Sequence, residues 1–266
     1  MTDTPNSDKI LIERAGSVGK IIINNEAKRN AMSLDMWHAI PKAVATLETD
    51  PAVHVIAIKG AGVSAFVSGA DISEFDEVRK DTPSATHYDD VNAQAYRAVR
   101  NASKPTIALI RGFCMGGGLG LAAACDLRLS DEAGKFGIPA AKLGISYPTA
   151  AIADIVHIVG PANAREIYLT ARVYDADAAL ALGLLHAIFS KESFEAEAEA
   201  YCQSVARLAP LSHQYHKAAI NAAIGQTDSL PYDDLRAMAC ACLDSDDYKE
   251  GRLAFSEKRK PVFKGQ

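Results

Sequence analysis

Short apolar runs alternate with longer amphipathic stretches over the first two thirds of the chain. Ile10–Glu13 and Lys20–Ile23 are β-rich runs separated by Ala15-Gly16, which predicts a hairpin. Ser33 is a good N-cap, and Leu34, Trp37, Ile40, Ala43 and Leu47 then recur near a 3.6-residue period, predicting a helix to about Leu47. His54–Lys59 reads as a buried strand ending at Gly60. A second cycle runs from a helix around Tyr88–Asn101 into a strand at Thr106–Ile110. Glycines at 112 and 116–118, a small-residue helix at Leu119–Ala124 and a strand at Leu127–Leu129 follow. Parallel neighbours need crossover helices, so this recurrence predicts an α/β protein with a mainly parallel sheet. From Asp154 onward the pattern is nearly all helical, punctuated by Gly160-Pro161, Gly183 and Pro210. A helical tail of that length must cover the α/β core or a neighbouring subunit.

Composition narrows the function classes. The formal net charge is −5, and no basic–aromatic interleaving is present, so nucleic acid is not an expected partner, although a local basic cluster could hold a phosphorylated cofactor. No apolar run reaches membrane-spanning length, and MTDTPNSDKI lacks the layout of a signal peptide, so no membrane association is expected. The five cysteines are scattered, odd in number and without metal-ligand spacing, as in a reduced, cytoplasmic protein. His213 and His216 form the one helical-type histidine pair; with no acid or cysteine nearby they are expected on a helix surface, and no metal site is expected. Residues 1–7 are expected to be disordered. Neither a linker nor an internal repeat divides the chain, and a core over residues 1–200 with a helical region over 201–266 is the simplest organisation.

The densest chemical signal is Gly116-Gly117-Gly118-Leu119-Gly120, between a strand and a helix. Helix N-termini present unpaired N–H groups and a positive dipole end, and glycine lets a substrate oxygen approach them. Gly118-x-Gly120-x-x-Ala123 also fits a degenerate dinucleotide fingerprint, but that motif wants an acidic residue about 20 positions on, where none stands. Close helix packing is the plainer explanation of the glycines. A second loop, Ala65 to Ile72, follows the strand at His54–Lys59. Two such loops after successive strands could aim one N–H each at a common point, as an oxyanion hole does.

In order and spacing, several segments together resemble the crotonase (enoyl-CoA hydratase/isomerase) superfamily. Lys28-Arg29-Asn30-Ala31-Met32 is similar to the family segment that binds the coenzyme A nucleotide. Ser68-Gly69-Ala70-Asp71-Ile72 resembles the first oxyanion loop, and Gly112 to Gly118 followed by Ala124-Cys125-Asp126 the second. Phe136-Gly137-Ile138-Pro139 and Leu143-Gly144-Ile145 resemble the strand and turn beyond, and Ala254 to Pro261 the terminal helix. The resemblance implies a crotonase-like (ClpP/crotonase) α/β fold of repeated ββα units with a C-terminal helical trimerisation region. It implies a lyase or isomerase acting on acyl-CoA in fatty acid metabolism, assembled as a homotrimer or dimer of trimers. No prosthetic group is implied; coenzyme A enters as part of the thioester substrate. Residue by residue, it makes Ala70 and Gly117 the oxyanion donors and places Lys28, Arg29, Ala31, Ser68, Asp71, Ile72, Phe255 and Lys258 against coenzyme A, with Lys258 and Arg259 pairing with the phosphates of a neighbouring subunit's ligand.

The same resemblance exposes a departure. The family's hydratases carry a catalytic glutamate in each of two stretches, and here those positions read Gly120 and Ala140. No Asp or Glu lies between Gly112 and Cys125, or between Ala133 and Ala153. Neither residue can move a proton, so ordinary hydration is not expected. Asp126 belongs to a structural turn, Glu74, Asp76 and Glu77 are expected to be solvated, and His87 and Asp90 are outside candidates from a lid segment. Leu143-Gly144-Ile145-Ser146-Tyr147 resembles the methylmalonyl-CoA decarboxylase branch, whose tyrosine falls at Tyr147, although that branch has a histidine where this chain has Ala70. Decarboxylation of a malonyl-type thioester needs an oxyanion hole but no base. Tyr147 could orient the leaving carboxylate or simply close an apolar wall. A hydratase or isomerase with a displaced acid–base group, and a non-catalytic acyl-CoA-binding protein, are the alternatives.

Overall fold

The structure, a computed structural model, describes residues 8–226 and 228–266; the expected disorder of residues 1–7 concerns a segment outside them. Ten strands form two sheets among these residues. The larger has the order β1 (Ile10–Ala15), β2 (Val18–Ile23), β3 (Val55–Gly60), β5 (Thr106–Ile110), β7 (Leu127–Asp131), β10 (Ala187–Phe189). The smaller has the order β4 (Ala65–Val67), β6 (Phe113–Met115), β8 (Lys135–Gly137), β9 (Tyr174–Asp175). The helices are α1 (Leu34–Thr49), α2 (Phe75–Val78), α3 (Thr82–Arg100), α4 (Gly117–Ala124), α5 (Ala140–Leu143), α6 (Thr149–Thr170), α7 (Ala176–Ala181), α8 (Phe194–Ala206), α9 (Pro210–Ala223), α10 (Tyr232–Asp244) and α11 (Asp246–Glu257).

The chain repeats one device three times. β3–β4, β5–β6 and β7–β8 each place their first strand in the large sheet and their second in the small one, and helix follows. Within both sheets these strands run parallel, as the strand–helix recurrence predicts. The hairpin of β1 and β2 is antiparallel, Ala15 pairing with Val18.

Strand periodicity sorts side chains between two cores. Ile56 and Ile58 enter the larger core with Trp37, Phe66, Tyr96 and Phe136, while Val55 and Ala57 face the other way. There they meet Phe194, Ala198, Cys202 and Ala206 of α8. A strand buried on both faces reads as a continuous apolar run, which is why His54–Lys59 looks like one. Ser33 caps α1 as expected, its Oγ accepting from Met36 N at 3.3 Å.

Two expectations need correcting. The region after Asp154 is not uniformly helical: β9 pairs antiparallel with β8, and β10 pairs parallel with β7 at the edge of the large sheet. Strands of two or three residues are too short to show a period of two. His213 is half-buried rather than on a helix surface, with Nδ1 enclosed and unpartnered among the described residues, and burial lowers its pKa; His216 is exposed. α9 is drawn onto the core by Lys217, whose Nζ donates to Asp126 Oδ2 at 2.8 Å and to Lys104 O at 3.2 Å. Asp126 also accepts from Thr106 N and Oγ1, the structural role expected of it. α6 is broken at Gly160, where φ is +75° ahead of Pro161.

Candidate active site

Because β4, β6 and β8 are adjacent and parallel, the segments leaving their C-terminal ends must lie side by side. Ser68-Gly69-Ala70, Gly116-Gly117 and Ile138-Pro139-Ala140 accordingly line one pocket. Its empty space is about 670 Å³, part of it open to solvent, a size suited to a small-molecule ligand. Ligands of open parallel sheets sit at such carboxyl ends.

Two of the lining residues, Ala70 and Gly117, have main-chain amides left free by their surroundings. Ala70 is bridged in parallel to Met32 through its neighbours: Met32 N donates to Gly69 O and Asp71 N donates to Met32 O, both at 2.9 Å. Those bonds use the groups flanking Ala70 and turn its own N–H away from Met32. Gly117 opens α4, so its N–H has no acceptor within the helix. Among the described residues neither amide has a hydrogen-bond partner. A glycine with positive φ precedes each donor, Gly69 at +124° and Gly116 at +51°, a geometry that side chains resist. Paired, unoccupied N–H groups of this kind can stabilise charge developing on a carbonyl oxygen.

The wall beside Gly117 is aromatic. A Cβ built on Gly120 would lie 2.6 Å from Tyr147 Oη and 3.0 Å from Tyr96 Oη. Tyr147 Oη donates to Gly116 O at 2.8 Å, and Tyr96 Oη donates to Gly117 O at 3.1 Å. Burial raises the pKa of both phenols, so both hydroxyls stay protonated at neutral pH. Ala140, whose side chain is only a methyl group, lines the pocket as well.

Two charged residues that sequence reasoning passed over also line the pocket. Arg79 follows α2 and Asp89 lies on α3; Arg79 Nη2 donates to Asp89 Oδ1 at 2.6 Å. The guanidinium lies 4.6 Å from the ring centre of Tyr88 and 5.5 Å from that of Phe75. The expected lid residues flank them differently: His87 and Asp90 are exposed, as are Asp76 and Glu77. Glu74 is not free in solvent, since Oε2 accepts from Leu34 N at 3.0 Å and caps α1. The α3 pattern carried the missing signal. Asp89 falls one residue past the buried Tyr88, at the border of the apolar face, where a charge points neither inward nor fully outward.

Of the eight residues assigned to coenzyme A, four are drawn together by one set of bonds. Ser68 N donates to Arg29 O at 3.2 Å, Ser68 Oγ to Lys28 O at 3.4 Å, and Lys28 Nζ meets Asp71 Oδ2 at 2.6 Å. Burial works against the Asp71 carboxylate, but the hydrogen bonds from Lys28 and Ser73 prevail and hold its pKa below the ordinary value. Ala31 is buried in the same segment, Ile72 is 62% exposed beyond it, and the Arg29 guanidinium lies 5.5 Å from the Phe113 ring centre. Phe255, 87% exposed on α11, and Lys258, its C-cap, stand apart and do not line the pocket. Among the described residues no cluster of His, Cys, Asp or Glu is suited to a metal.

Comparison with known proteins agrees with this architecture. The enoyl-CoA hydratase/isomerase family model matches residues 13–266. The chain is 32% identical to a crotonyl-CoA hydratase of Syntrophomonas wolfei, over 96% of this chain and 98% of that one. It is 33% identical to a peroxisomal Delta(3,5)-Delta(2,4)-dienoyl-CoA isomerase of Arabidopsis thaliana, over 93% and 92%. Among solved structures, an enoyl-CoA hydratase/carnithine racemase from Magnetospirillum magneticum superposes with a TM-score of 0.93 at 38% identity, covering 100% of this chain and 98% of that one.

Proposed function

Since this chain belongs to the enoyl-CoA hydratase/isomerase family, with its crotonase fold, we propose that it is an acyl-CoA enzyme whose Ala70 and Gly117 amides stabilise a thioester enolate, and that it decarboxylates a malonyl-type thioester rather than hydrating an enoyl one. One observation carries the choice. Tyr147 and Tyr96 fill the volume that a side chain at 120 would need, and position 140 offers only a methyl group. Positions 120 and 140 therefore supply no carboxylate to activate water.

In the proposed reaction the bond between the α-carbon and its carboxylate breaks. The electron pair stays on the α-carbon and delocalises into the thioester, CO₂ departs, and the enolate oxygen is held by the two amides. A proton from water then reaches the α-carbon. Each donor of this kind supplies roughly 3–4 kcal/mol at the transition state. Tyr147 is a positioning residue here: its single proton goes to Gly116 O, which fixes the loop that presents Gly117. Lys28, Arg29, Ala31, Ser68, Asp71 and Ile72 would receive coenzyme A, with Phe255 and Lys258 contributed by a neighbouring subunit of a homotrimer or dimer of trimers. Exposed Leu243, Leu253 and Phe255 on α10 and α11 support burial there, and light scattering of the purified protein tests it. Location in the cytoplasm completes the reading; among the described residues no helix is long and apolar enough to cross a membrane.

Incubation with methylmalonyl-CoA and with crotonyl-CoA tests the chemistry. Release of CO₂ with formation of propionyl-CoA is expected, and hydration of crotonyl-CoA at ordinary enzymatic rates would overturn it. A second reading has its own observation: Asp89 lines the pocket and could serve as a displaced acid–base group in a hydratase or isomerase. Under that reading Asp89→Asn abolishes turnover of crotonyl-CoA. A non-catalytic acyl-CoA binder would show no turnover for Tyr147→Phe to diminish, whereas the enzyme loses kcat with little change in KM.

A further inference from the structure

Arg79 is the one cation among the described residues that line the pocket. Its side chain is only 14% exposed and packs against Phe75 and Tyr88. A guanidinium has five N–H donors, yet one hydrogen bond, Nη2 to Asp89, is all that the described residues provide. Nε is enclosed without a partner. Nη1 also lacks one but, unlike Nε, is not fully enclosed. Leaving charged donors unmet in so apolar a setting is unfavourable, and a planar fork with a free edge is matched by a carboxylate.

We infer that Arg79 reads a carboxylate on the acyl group, so that this pocket selects short carboxyacyl-CoA thioesters over neutral acyl-CoA of the same length. The inference rests on the reading of the pocket as an acyl-CoA site and adds a selectivity to it. Asp89 competes with the substrate for the guanidinium: it neutralises Arg79 in the empty pocket and holds the fork by one arm. The two residues therefore act in opposite directions. Holding a carboxylate as an anion favours binding over its conversion to CO₂, so Arg79 governs KM more than kcat.

The test measures affinities of the full-length protein for matched pairs, malonyl-CoA against propionyl-CoA and glutaryl-CoA against pentanoyl-CoA, with free CoA as reference. Glutaryl-CoA has no carboxylate on its α-carbon, so it reports recognition apart from decarboxylation. The wild-type protein should prefer the carboxylated member of at least one pair tenfold or more. Arg79→Met should erase that preference, and Asp89→Asn should enlarge it severalfold. Loss of affinity for free CoA equal to that for the carboxyacyl forms in Arg79→Met would instead assign Arg79 to the phosphates and overturn the inference. Equal binding within both pairs would overturn it while leaving the acyl-CoA reading intact. Binding of no thioester at all would remove both.

Discussion

Tyr147 Oη stands 2.6 Å from the place where a Cβ on residue 120 would sit, so the glycine and the tyrosine occupy one volume between them. Restoring an acid at 120 by a single substitution is therefore expected to fail. Gly120→Glu should destabilise the protein by about 1–3 kcal/mol, the range for overpacking a core, and displace Tyr147 from Gly116 O. Pairing it with Tyr147→Gly should recover part of the loss. A double-mutant cycle read by urea unfolding checks this; strict additivity of the two changes would contradict the shared-volume argument.

Gly117 lies at the first position of α4, where proline is tolerated and would remove the N–H. A Cβ there meets Trp37 Cζ2 at 3.0 Å, a crowding that Gly117→Ala and Gly117→Pro share. The ratio of their rates thus isolates the donor. Gly117→Pro is expected to turn over substrate about 10²–10³-fold more slowly than Gly117→Ala; equal kcat values would remove Gly117 from the oxyanion assignment.

Arg100 and Asp154 form a buried ion pair at 2.9 Å, with side-chain exposures of 9% and 3%. Arg100→Met leaves the carboxylate uncompensated and should cost about 3–5 kcal/mol at neutral pH. Burial raises the Asp154 pKa, with Arg100 opposing, so removing Arg100 raises it further. The variant's folded state then takes up a proton at higher pH than the wild type's, and its deficit should shrink as pH falls through that higher pKa. Urea denaturation of both proteins at pH 7.5 and pH 5 gives the comparison; a deficit that grows on acidification would contradict it.

Burial pushes the Cys125 and Cys202 thiols up to about 12 and raises that of Cys114 well above its ordinary value. These three should resist iodoacetamide at pH 8 in the native protein, because the thiolate is the reacting species. Cys240 is exposed and should be alkylated first, as peptide mass mapping would reveal.

The α/β repeat, the cap at Ser33 and the glycine-marked loops were legible because each leaves a local trace: a period, a capping side chain, a run of small residues. The orientation of the Ala70 N–H was not, since it depends on which atoms of Gly69 and Asp71 pair with Met32, 38 positions from Ala70 in the sequence. Arg79 and Asp89 were missed for a related reason. Their pairing joins the end of a four-residue helix to the flank of α3, and neither residue type is unusual on a helix border. The absence of acids near 120 and 140 was plain from the sequence, but what fills that space required Tyr147 and Tyr96 to be placed in three dimensions.

Both proposed oxyanion donors belong to peptide units, which limits how such a pocket can be redesigned. No exchange of one side chain for another, proline apart, can delete them, while every group that could transfer a proton or grip an acyl substituent is a replaceable side chain on the surrounding walls. The proposed polarising element is thus main chain set just beyond two strands of the small sheet, and the identity of the reaction is carried by its interchangeable lining.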